Sequence, residues 1–306
     1  MAGGGTIRDY LLTRSGELRL GLVVQGGGMR GVYSMGALAA LEEAGLRESF
    51  DIVTGSSNGA INAAYFLAGQ ADEAVDLYLR YLNSREFINI LRLRRIVDID
   101  FAIETAMKWH RPLKMETLRS SPSLLEVIVV NAETGQPEVI SSRDDHYDFY
   151  EVMHATAALP GLYNKKVRLG SGLYVDGGLV DALPVGRALD GGADRVLTIA
   201  TRVRGYRDEG NGLLYRLVAR LLAHGQAPAI RKLIGPPNLL LNETMRLLEN
   251  QTEEAVPPRG WCVWPSDPSR LVSRTTLDRS ELRRCATMGR SDMCGLLQRE
   301  LRENLG

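Results

Sequence analysis

Short runs rich in apolar and β-branched residues recur along this chain, and helical patterns separate several of them. The apolar runs cover residues 18–24, 50–55, 124–132, 166–178, 195–201 and 261–265. The helical patterns cover residues 32–44, 58–68, 71–83, 146–158, 211–224 and 238–250. Buried strands that alternate with helices favour an α/β fold whose mainly parallel sheet is covered on both faces. Residues 131–141 interrupt this order and are typical of a hairpin, with Thr134 and Gly135 near its turn.

Composition and charge narrow the class of protein. Hydrophobic residues make up 44% and charged residues 24%, as in a folded globular chain. Lys plus Arg and Asp plus Glu number 37 each, so the chain lacks the basic excess of a nucleic-acid-binding protein, and we expect no nucleic-acid partner. No apolar stretch is long enough for a signal peptide or a membrane span, which predicts a cytoplasmic protein. The three cysteines match no zinc spacing, and we expect neither a metal nor a cofactor.

Three consecutive glycines, residues 26–28, lie between the first strand pattern and the first helical pattern. With Gly31 they spell G-x-G-x-x-G, which is typical of a dinucleotide-binding turn. The ribose-binding acid of such a site should end the second strand, whereas Asp51 stands at its beginning, and Arg30 would crowd the pyrophosphate. The second interpretation is an oxyanion site, in which backbone N–H groups face the charge that develops during acyl transfer.

The second strand pattern ends in G-x-S-x-G, formed by Gly55, Ser57 and Gly59, directly before a helical pattern. This is the context of a nucleophile elbow. The turn is so sharp that only glycine fits two residues before and two residues after the serine. It lifts the Ser57 hydroxyl clear of the sheet and directs the partly positive N-terminus of the next helix at it. A glycine-rich turn with an incidental serine is the alternative.

Asp176 ends a short strand pattern and is followed by Gly177 and Gly178. Two glycines permit a tight turn that leaves the carboxylate at the strand end, where sites assemble in open α/β sheets. The alternative is a β-turn whose aspartate hydrogen-bonds its own backbone. Asp181, five residues further on, is interpreted as a cap of the next segment. A glycine loop, an elbow serine and a glycine-flanked aspartate together make the parts of an acyl-transfer site.

Three sequence blocks, GGGMRG (26–31), GSSNG (55–59) and DGG (176–178), resemble those of the patatin-like phospholipase family and occur in the same order. Residues 155–167 are similar to the segment that precedes the aspartate strand in that family. The resemblance covers roughly residues 18–200. It implies a three-layer α/β/α sandwich and the hydrolysis of acyl esters in phospholipids, glycerolipids or simpler substrates.

The resemblance also implies a role for each matching residue. Ser57 would be the nucleophile and Asp176 its direct partner in a dyad. The N–H groups of Gly26, Gly27 and Gly28 would form the oxyanion hole. The supporting residues would be Arg30, Gly31, Gly55, Gly59, Gly177 and Gly178. The arginine among them would hold the loop or favour an anionic substrate.

Most serine hydrolases use a histidine as the base, and this chain has four candidates. They are His110, His146, His154 and His224. His154 lies nearest to a motif, and a triad would replace the dyad if it were the base.

Two arginine-containing apolar segments suit an anionic bilayer, which a lipid substrate would require. Residues 213–235 carry Arg216, Arg220, Arg231 and Lys232, and residues 87–97 carry Arg92, Arg94 and Arg95. The alternative for each is a helix buried on one side with solvated arginines.

We expect an N-terminal tail (1–17), a patatin-like catalytic domain (18–202) and a helical or mixed C-terminal extension (203–306) packed on that domain. The expected function is a serine hydrolase that cleaves lipid acyl esters through an acyl-enzyme, with peripheral membrane contact. Three alternatives stay open: a soluble carboxylesterase or thioesterase without a membrane role, a nucleotide-binding module that uses residues 26–31, and a scaffold without catalysis. The sequence does not fix the acyl length, the head group or the oligomeric state.

Overall fold

A computed structural model describes residues 6–13, 18–92, 95–210, 225–251 and 260–299. Within these ranges the strands form one sheet. The strands are β1 (Leu20–Val24), β2 (Ile52–Ser56), β3 (Leu124–Asn131), β4 (Pro137–Ser141), β5 (Val167–Leu169), β6 (Gly172–Asp176), β7 (Arg195–Ile199) and β8 (Gly260–Val263).

The described helices flank this sheet. They are α1 (Ile7–Thr13), α2 (Gly31–Glu43), α3 (Asn58–Leu67), α4 (Ala71–Arg80), α5 (Met115–Ser120), α6 (Phe149–Ala157), α7 (Val185–Asp190), α8 (Pro228–Leu233), α9 (Leu239–Gln251) and α10 (Arg279–Leu297). A π-helix (Phe101–His110) and short 3-10 turns, among them Gly28–Arg30 and Gly177–Leu179, complete the set. No helix in the described ranges is both long enough and apolar enough to cross a membrane.

The sheet has a parallel centre and an antiparallel side. The strand order is β5-β6-β3-β2-β1-β7-β8, and β4 also pairs with β3. The pairs β3–β2, β2–β1, β1–β7 and β7–β8 are parallel. The pairs β3–β4, β3–β6 and β5–β6 are antiparallel. The mainly parallel sheet predicted from the sequence is therefore confirmed, and the hairpin around Thr134 and Gly135 is the β3–β4 pair.

Helices cover both faces of the sheet, as the alternation within β1 shows. Leu22 and Val24 join the larger core cluster with α2, α3, α6 and α10, whereas Val23 joins the second cluster with α7 and α9. Successive side chains of a strand point to opposite faces, so one strand supplies two cores. The three-layer arrangement implied by the resemblance is confirmed.

The chain beyond residue 202 extends this same sheet. β8 pairs in parallel with β7, and α10 packs across α2. The two helix backbones approach closely at Gly36, where an added Cβ would lie 2.0 Å from the Ala286 carbonyl oxygen. The sequence patterns predicted α2, α3, α4, α6 and α9 to within a few residues but did not indicate α10 or the π-helix. The helical pattern at 211–224 lies outside the described residues.

Candidate active site

Ser57 occupies the turn between β2 and α3. It is the one described non-glycine residue with positive φ, at φ 55°, a strained conformation that proteins retain mainly at functional sites. The Ser57 N–H donates to Thr156 Oγ1 at 2.9 Å, and the Thr156 hydroxyl donates to the Ile128 carbonyl at 2.6 Å. These two bonds fix the strained turn to β3.

The elbow needs glycine on both sides of the serine. A Cβ at Gly55 would lie 2.7 Å from the Ala60 nitrogen, and one at Gly59 would lie 2.3 Å from the Val24 carbonyl oxygen. Real Cβ atoms essentially never approach backbone so closely, so α3 could not start against β1 and β2 with larger residues. The prediction that only glycine fits at these two positions is confirmed.

The register of β3 explains how Ser57 and Asp176 meet. Residues 126–128 of β3 pair with both β2 and β4, and Val129 and Val130 pair with both β6 and β4. Each strand has only two edges, so β2 and β6 share the edge opposite to β4. Ser56 pairs with Ile128 and Asp176 with the next residue, Val129. The two strands run in opposite directions, and their C-terminal ends meet on adjacent residues of β3.

Asp176 is buried at 2% exposure beside the serine. Its Oδ1 accepts the Gly178 N–H at 2.7 Å, and the Ser57 hydroxyl is close enough to lower the pKa of this carboxyl by hydrogen bonding. Burial is the larger influence and raises the pKa of Asp176 to about 7, with the Gly178 and Ser57 bonds and the charge of Arg274 opposing it. A carboxyl group of this pKa can accept and return a proton near neutral pH.

The two glycines after Asp176 have different reasons to be glycine. A Cβ at Gly177 would lie 2.1 Å from the Ile128 carbonyl oxygen, so this turn passes directly against β3. A Cβ at Gly178 would lie 3.1 Å from Asp176 Oδ1 and 3.9 Å from the Ser57 Cβ. Gly178 thus lies beside both candidate catalytic side chains.

The triple-glycine loop packs beside Ser57 and against the start of α3. The Gly27 N–H donates to Asn58 Oδ1 at 2.8 Å, and the Gly26 carbonyl accepts the Thr201 hydroxyl at 2.6 Å. Gly27 and Gly28 have φ of 151° and 60°, values that L side chains rarely adopt. No described residue accepts a hydrogen bond from the N–H of Gly26 or Gly28, whereas that of Gly27 is already used.

Asn58 joins the loop to the elbow, a role that the sequence analysis missed. Its Nδ2 donates to the Gly28 carbonyl at 2.6 Å and to the Tyr78 hydroxyl at 2.9 Å. A Cβ at Gly31 would lie 1.8 Å from that Nδ2, so Gly31 leaves room for the amide. The available signal was the position of Asn58 inside G-x-S-x-G, where a short amide can bridge neighbouring backbones.

A cavity of about 630 Å³ opens beside Ser57 and Asp176. Its polar end contains the triple glycine, and its apolar wall comes largely from α4 and the segment around the π-helix. Representative apolar residues are Leu77, Phe87, Ile99, Ala102, Ile103 and Met107. The volume and the apolar wall are typical of a small-molecule site.

Arg30 is buried behind the loop at 6% exposure and also lines the cavity. Its Nε and Nη2 lie 3.2 and 3.3 Å from the position of a Gly27 Cβ, so the side chain folds back over the loop. Burial, together with the charges of Arg202 and Arg274, lowers the pKa of Arg30 to about 9. The guanidinium therefore stays charged at neutral pH.

His154 does not lie beside the serine. Its Nε2 bonds to the Tyr163 hydroxyl at 2.8 Å, and Tyr163 donates to Asp100 at 2.6 Å. Burial lowers the pKa of His154, and no described contact joins it to Ser57 or Asp176. Of the other histidines, His110 stacks on Tyr81 and His146 pairs with Asp144, whereas His224 lies outside the described residues.

The two other aspartates considered from the sequence have structural contacts. Asp51 accepts the Leu20 N–H at 2.7 Å where β1 begins, at the end of the sheet away from the glycine loop. This geometry agrees with the sequence argument against a dinucleotide site. Asp181 caps the segment that leads into α7, as interpreted from the sequence, because its carboxylate accepts the Leu183 N–H; the N-cap of α7 itself, Pro184, makes no side-chain bond. In the described ranges no cluster of three or more His, Cys, Asp or Glu side chains suits a metal ion.

Known proteins are similar to this chain in sequence or in fold. The profile of the family described as patatin-like phospholipase matches residues 22–189, more than half of the chain. The uncharacterized protein YjjU of Escherichia coli K12 is 32% identical over 189 residues, which are 60% of this chain and 52% of YjjU. Lysophospholipase nte1 of Aspergillus terreus is 29% identical over 185 residues, 59% of this chain and 12% of that protein.

The chain thus spans about half the length of one curated relative and a small part of the other. Among solved structures, VipD from Legionella pneumophila has a TM-score of 0.53 at 15% identity, covering 92% of this chain and 66% of that one. This likeness concerns the fold. The profile match over residues 22–189 shows that the chain belongs to the patatin-like phospholipase family.

Proposed function

We propose that this protein is a serine hydrolase that cleaves the acyl ester bonds of lipids through Ser57 and Asp176. The observation that carries the proposal is that β2, which ends directly before the strained Ser57, and β6, which ends in the buried Asp176, meet on adjacent residues of β3. The family of the chain and its similarity to a relative named lysophospholipase nte1 support a lipid ester as the substrate.

In the first step the Ser57 oxygen attacks the ester carbonyl carbon, and its proton passes to the Asp176 carboxylate. The tetrahedral intermediate collapses, the bond to the alcohol breaks, and Asp176 returns the proton to the departing alkoxide. A pKa of about 7 suits both transfers, because the group is partly ionised at neutral pH and is also a competent acid.

The oxyanion of that intermediate needs N–H donors. Gly26 and Gly28 have N–H groups without a described acceptor, and the N-terminus of α3 adds partial positive charge. Gly27 takes a positioning role, because its N–H is held by Asn58. Removing one oxyanion donor typically costs about 3 kcal/mol of barrier.

In the second step a water attacks the acyl-enzyme carbonyl while Asp176 takes its proton. The same donors stabilise the second oxyanion, and the proton returns to the Ser57 oxygen as the bond to the fatty acid breaks. One carboxyl group serves both steps because it lies directly beside the serine.

The apolar part of the cavity accounts for the acyl chain. Ile103 and Met107 are fully buried, and they line the same cavity as Ser57. Transfer of each methylene from water to such a wall gains about 0.8 kcal/mol. An acyl chain directed towards the π-helix would therefore bind more tightly as it lengthens, up to the size of the cavity.

Apolar residues on the cavity rim support peripheral membrane contact. Ile90 and Leu91, exposed at 72% and 84%, follow the lining residue Ile88, and the exposed Leu239 precedes the lining residue Leu241. The arginines of this loop contribute less than the sequence suggested, because Arg92 and Arg95 pair with Asp98. Arg216, Arg220 and Arg94 lie outside the described residues.

Fluorophosphonate labelling tests the nucleophile. Wild type should be labelled and Ser57→Ala should not. Ser56→Ala is the matched control. The Ser56 hydroxyl donates to the Asp181 carbonyl, so its removal should leave labelling intact. Labelling that survives Ser57→Ala would overturn the assignment.

The substrate class is tested by vesicle hydrolysis beside a short-chain 4-nitrophenyl ester. Fatty acid release from phospholipid vesicles, lost in Ser57→Ala, supports the proposal. Rapid short-chain turnover without vesicle hydrolysis would instead indicate a carboxylesterase. Thermal stabilisation by NAD or ATP in a protein that is not labelled would indicate a nucleotide-binding module.

A further inference from the structure

Three arginines that differ in exposure line the cavity. Arg30 is buried, Arg202 is half-buried and Arg274 is exposed. Arg30 belongs to the glycine motif, whereas Arg202 and Arg274 lie beyond residues 22–189, the part of the chain that matches the family. Neither later arginine lies in the blocks GGGMRG, GSSNG and DGG.

All three are attached to the triple-glycine loop. The Met29 N–H donates to the Arg274 carbonyl at 3.0 Å, and a Cβ at Gly28 would lie 2.7 Å from that same oxygen. Thr201, directly before Arg202, donates to the Gly26 carbonyl at 2.6 Å. The loop that faces Ser57 is therefore bordered by all three residues.

No described carboxylate forms a salt bridge with these arginines, although the charge of Asp208 acts on Arg202 and that of Arg274 on Asp176. By contrast, Arg207 in the same segment pairs with Glu249 at 2.6 Å. The Arg30 Nε is buried and has no hydrogen-bond partner in the described chain. Arg202 stacks on the Tyr206 ring at 4.0 Å, a contact that holds a guanidinium without neutralising it.

The charges in the cavity do not cancel. Arg202 and Arg274 each lower the pKa of Arg30, so the three guanidiniums lie close enough to repel one another. Two carboxyls share the lining, Asp176 and Asp208. Asp208 accepts the N–H groups of Asn238 and Gly210 at 2.8 and 3.1 Å. The lining is therefore positive by at least one charge at neutral pH.

We propose that Arg202 and Arg274 bind a phosphoryl group of the lipid substrate, next to the ester that Ser57 attacks, with Arg30 as a buried charge behind them. Unpaired guanidiniums in a partly desolvated site repel one another until an anion binds between them. The planar guanidinium matches phosphate oxygens through paired N–H donors. This inference rests on the proposed function and adds the substrate class to it.

The placement of the arginines favours a head group over the fatty acid. Ile103 and Met107 are buried at the apolar wall, whereas Arg274 is exposed. An amphiphile that places its chain along the apolar wall leaves its charged group on the solvent side, where Arg274 and Arg202 lie. The substrate is therefore an anionic glycerophospholipid or its lyso form and not a neutral glyceride.

The first experiment compares 1-oleoyl-glycerol 3-phosphate with 1-oleoylglycerol, which differ only in the phosphate. The ratio of their kcat/KM values should favour the phosphate substrate in wild type. It should fall about tenfold or more in Arg202→Gln and in Arg274→Gln, with a smaller fall in Arg202→Lys, which keeps the charge but loses the paired donors. Arg279→Gln, an exposed arginine outside the cavity, is the matched control and should keep the wild-type ratio.

The second experiment measures binding in Ser57→Ala and does not depend on turnover. Dodecyl phosphate should raise the melting temperature more than dodecanol, which shares only the contact with the apolar wall, and adding Arg202→Gln should remove that excess. A comparable shift from inorganic phosphate alone would indicate a free-phosphate site and overturn the head-group assignment. If dodecyl phosphate shifted the melting temperature equally in Ser57→Ala with and without Arg202→Gln, the inference would be overturned altogether. A protein that binds dodecyl phosphate through Arg202 but hydrolyses neither lipid would contradict the proposed function and leave the anion site standing.

Discussion

The region that matches the family and the region that follows it contribute differently to one cavity. Residues 22–189 contain Ser57, Asp176 and the glycine loop, and each lies at a position where backbone passes against backbone. The later region contributes Arg202 and Arg274, and Arg274 is partly open to solvent. Both regions share one sheet through the parallel β7–β8 pair.

This difference shows which parts of a site can be recognised from the amino-acid sequence. A close backbone approach tolerates only glycine, so the reaction geometry produces fixed glycine spacings. A cavity wall needs only a charge or an apolar surface at roughly the right place, and many residues satisfy that. Reaction chemistry is therefore easier to infer from a sequence than substrate recognition. Four predictions test this division.

The largest effect is expected at the base. Asp176→Asn should lower kcat/KM for an ester by about 10²–10⁴-fold, because the serine loses its proton acceptor. His154→Ala is the comparison, and its effect should stay below about tenfold because His154 contacts Tyr163 and not Ser57. Steady-state kinetics of both variants, with circular dichroism as a check on folding, measure this. A larger loss in His154→Ala would assign the base to the histidine.

The same aspartate should lower the stability of the fold at high pH. Its pKa rises from 3.8 to about 7 on folding, so the folded state favours the protonated form. As pH rises from 3.8 to 7, the folded state loses stability relative to the unfolded chain, and above 7 the loss is complete. Asp176→Asn removes this pH dependence and should be more stable than wild type at pH 8 by about 2–4 kcal/mol.

Urea unfolding at pH 8 and pH 4.5 measures that difference. The difference in stability between Asp176→Asn and wild type should be smaller at pH 4.5, because the Asp176 carboxyl of folded wild type is then largely protonated. A difference that is the same at both values would show that the buried carboxyl is not its source.

The glycines of the elbow should be sensitive even though they carry no reactive group. Gly59→Ala places a Cβ 2.3 Å from the Val24 carbonyl and should cost about 1–3 kcal/mol of unfolding free energy or prevent folding. Gly186→Ala in α7 is the control, because no atom lies within 4 Å of its added Cβ. Denaturant unfolding of the pair compares them, and an equally stable Gly59→Ala would contradict the close-packed elbow.

The smallest effect is expected at the apolar wall. Ala102→Phe fills part of the cavity from the start of the π-helix and should lower kcat/KM for long acyl esters about tenfold. Butyryl esters are the internal control, since a short chain does not reach this wall. A series of 4-nitrophenyl esters from butyrate to palmitate gives the profile. An unchanged profile would place the acyl chain elsewhere.

The sequence predicted the strand ends on which the site lies but not all of its surroundings. β1, β2, β3 and β7 begin and end within two residues of their predicted positions, because continuous β-branched runs mark buried strands. α10 was missed because its 19 residues include many arginines and a glycine that packs on the Tyr33 backbone. Its buried face shows only once α2 is in place. The π-helix has no sequence signal of its own, since its hydrogen bonds differ from those of an α-helix only in register.

The amino-acid sequence by itself determined the motif residues of the candidate site, because a sharp turn and a close backbone approach each exclude every residue except glycine. The tertiary structure alone decided that Ser56 and Asp176 pair with neighbouring residues of β3, since 120 positions separate them in the chain (176 − 56). It also decided that Asn58 holds the Gly27 N–H and that Arg202 and Arg274 reach the same cavity. Such contacts depend on strand register and helix packing, which form over long sequence separations and leave no local pattern.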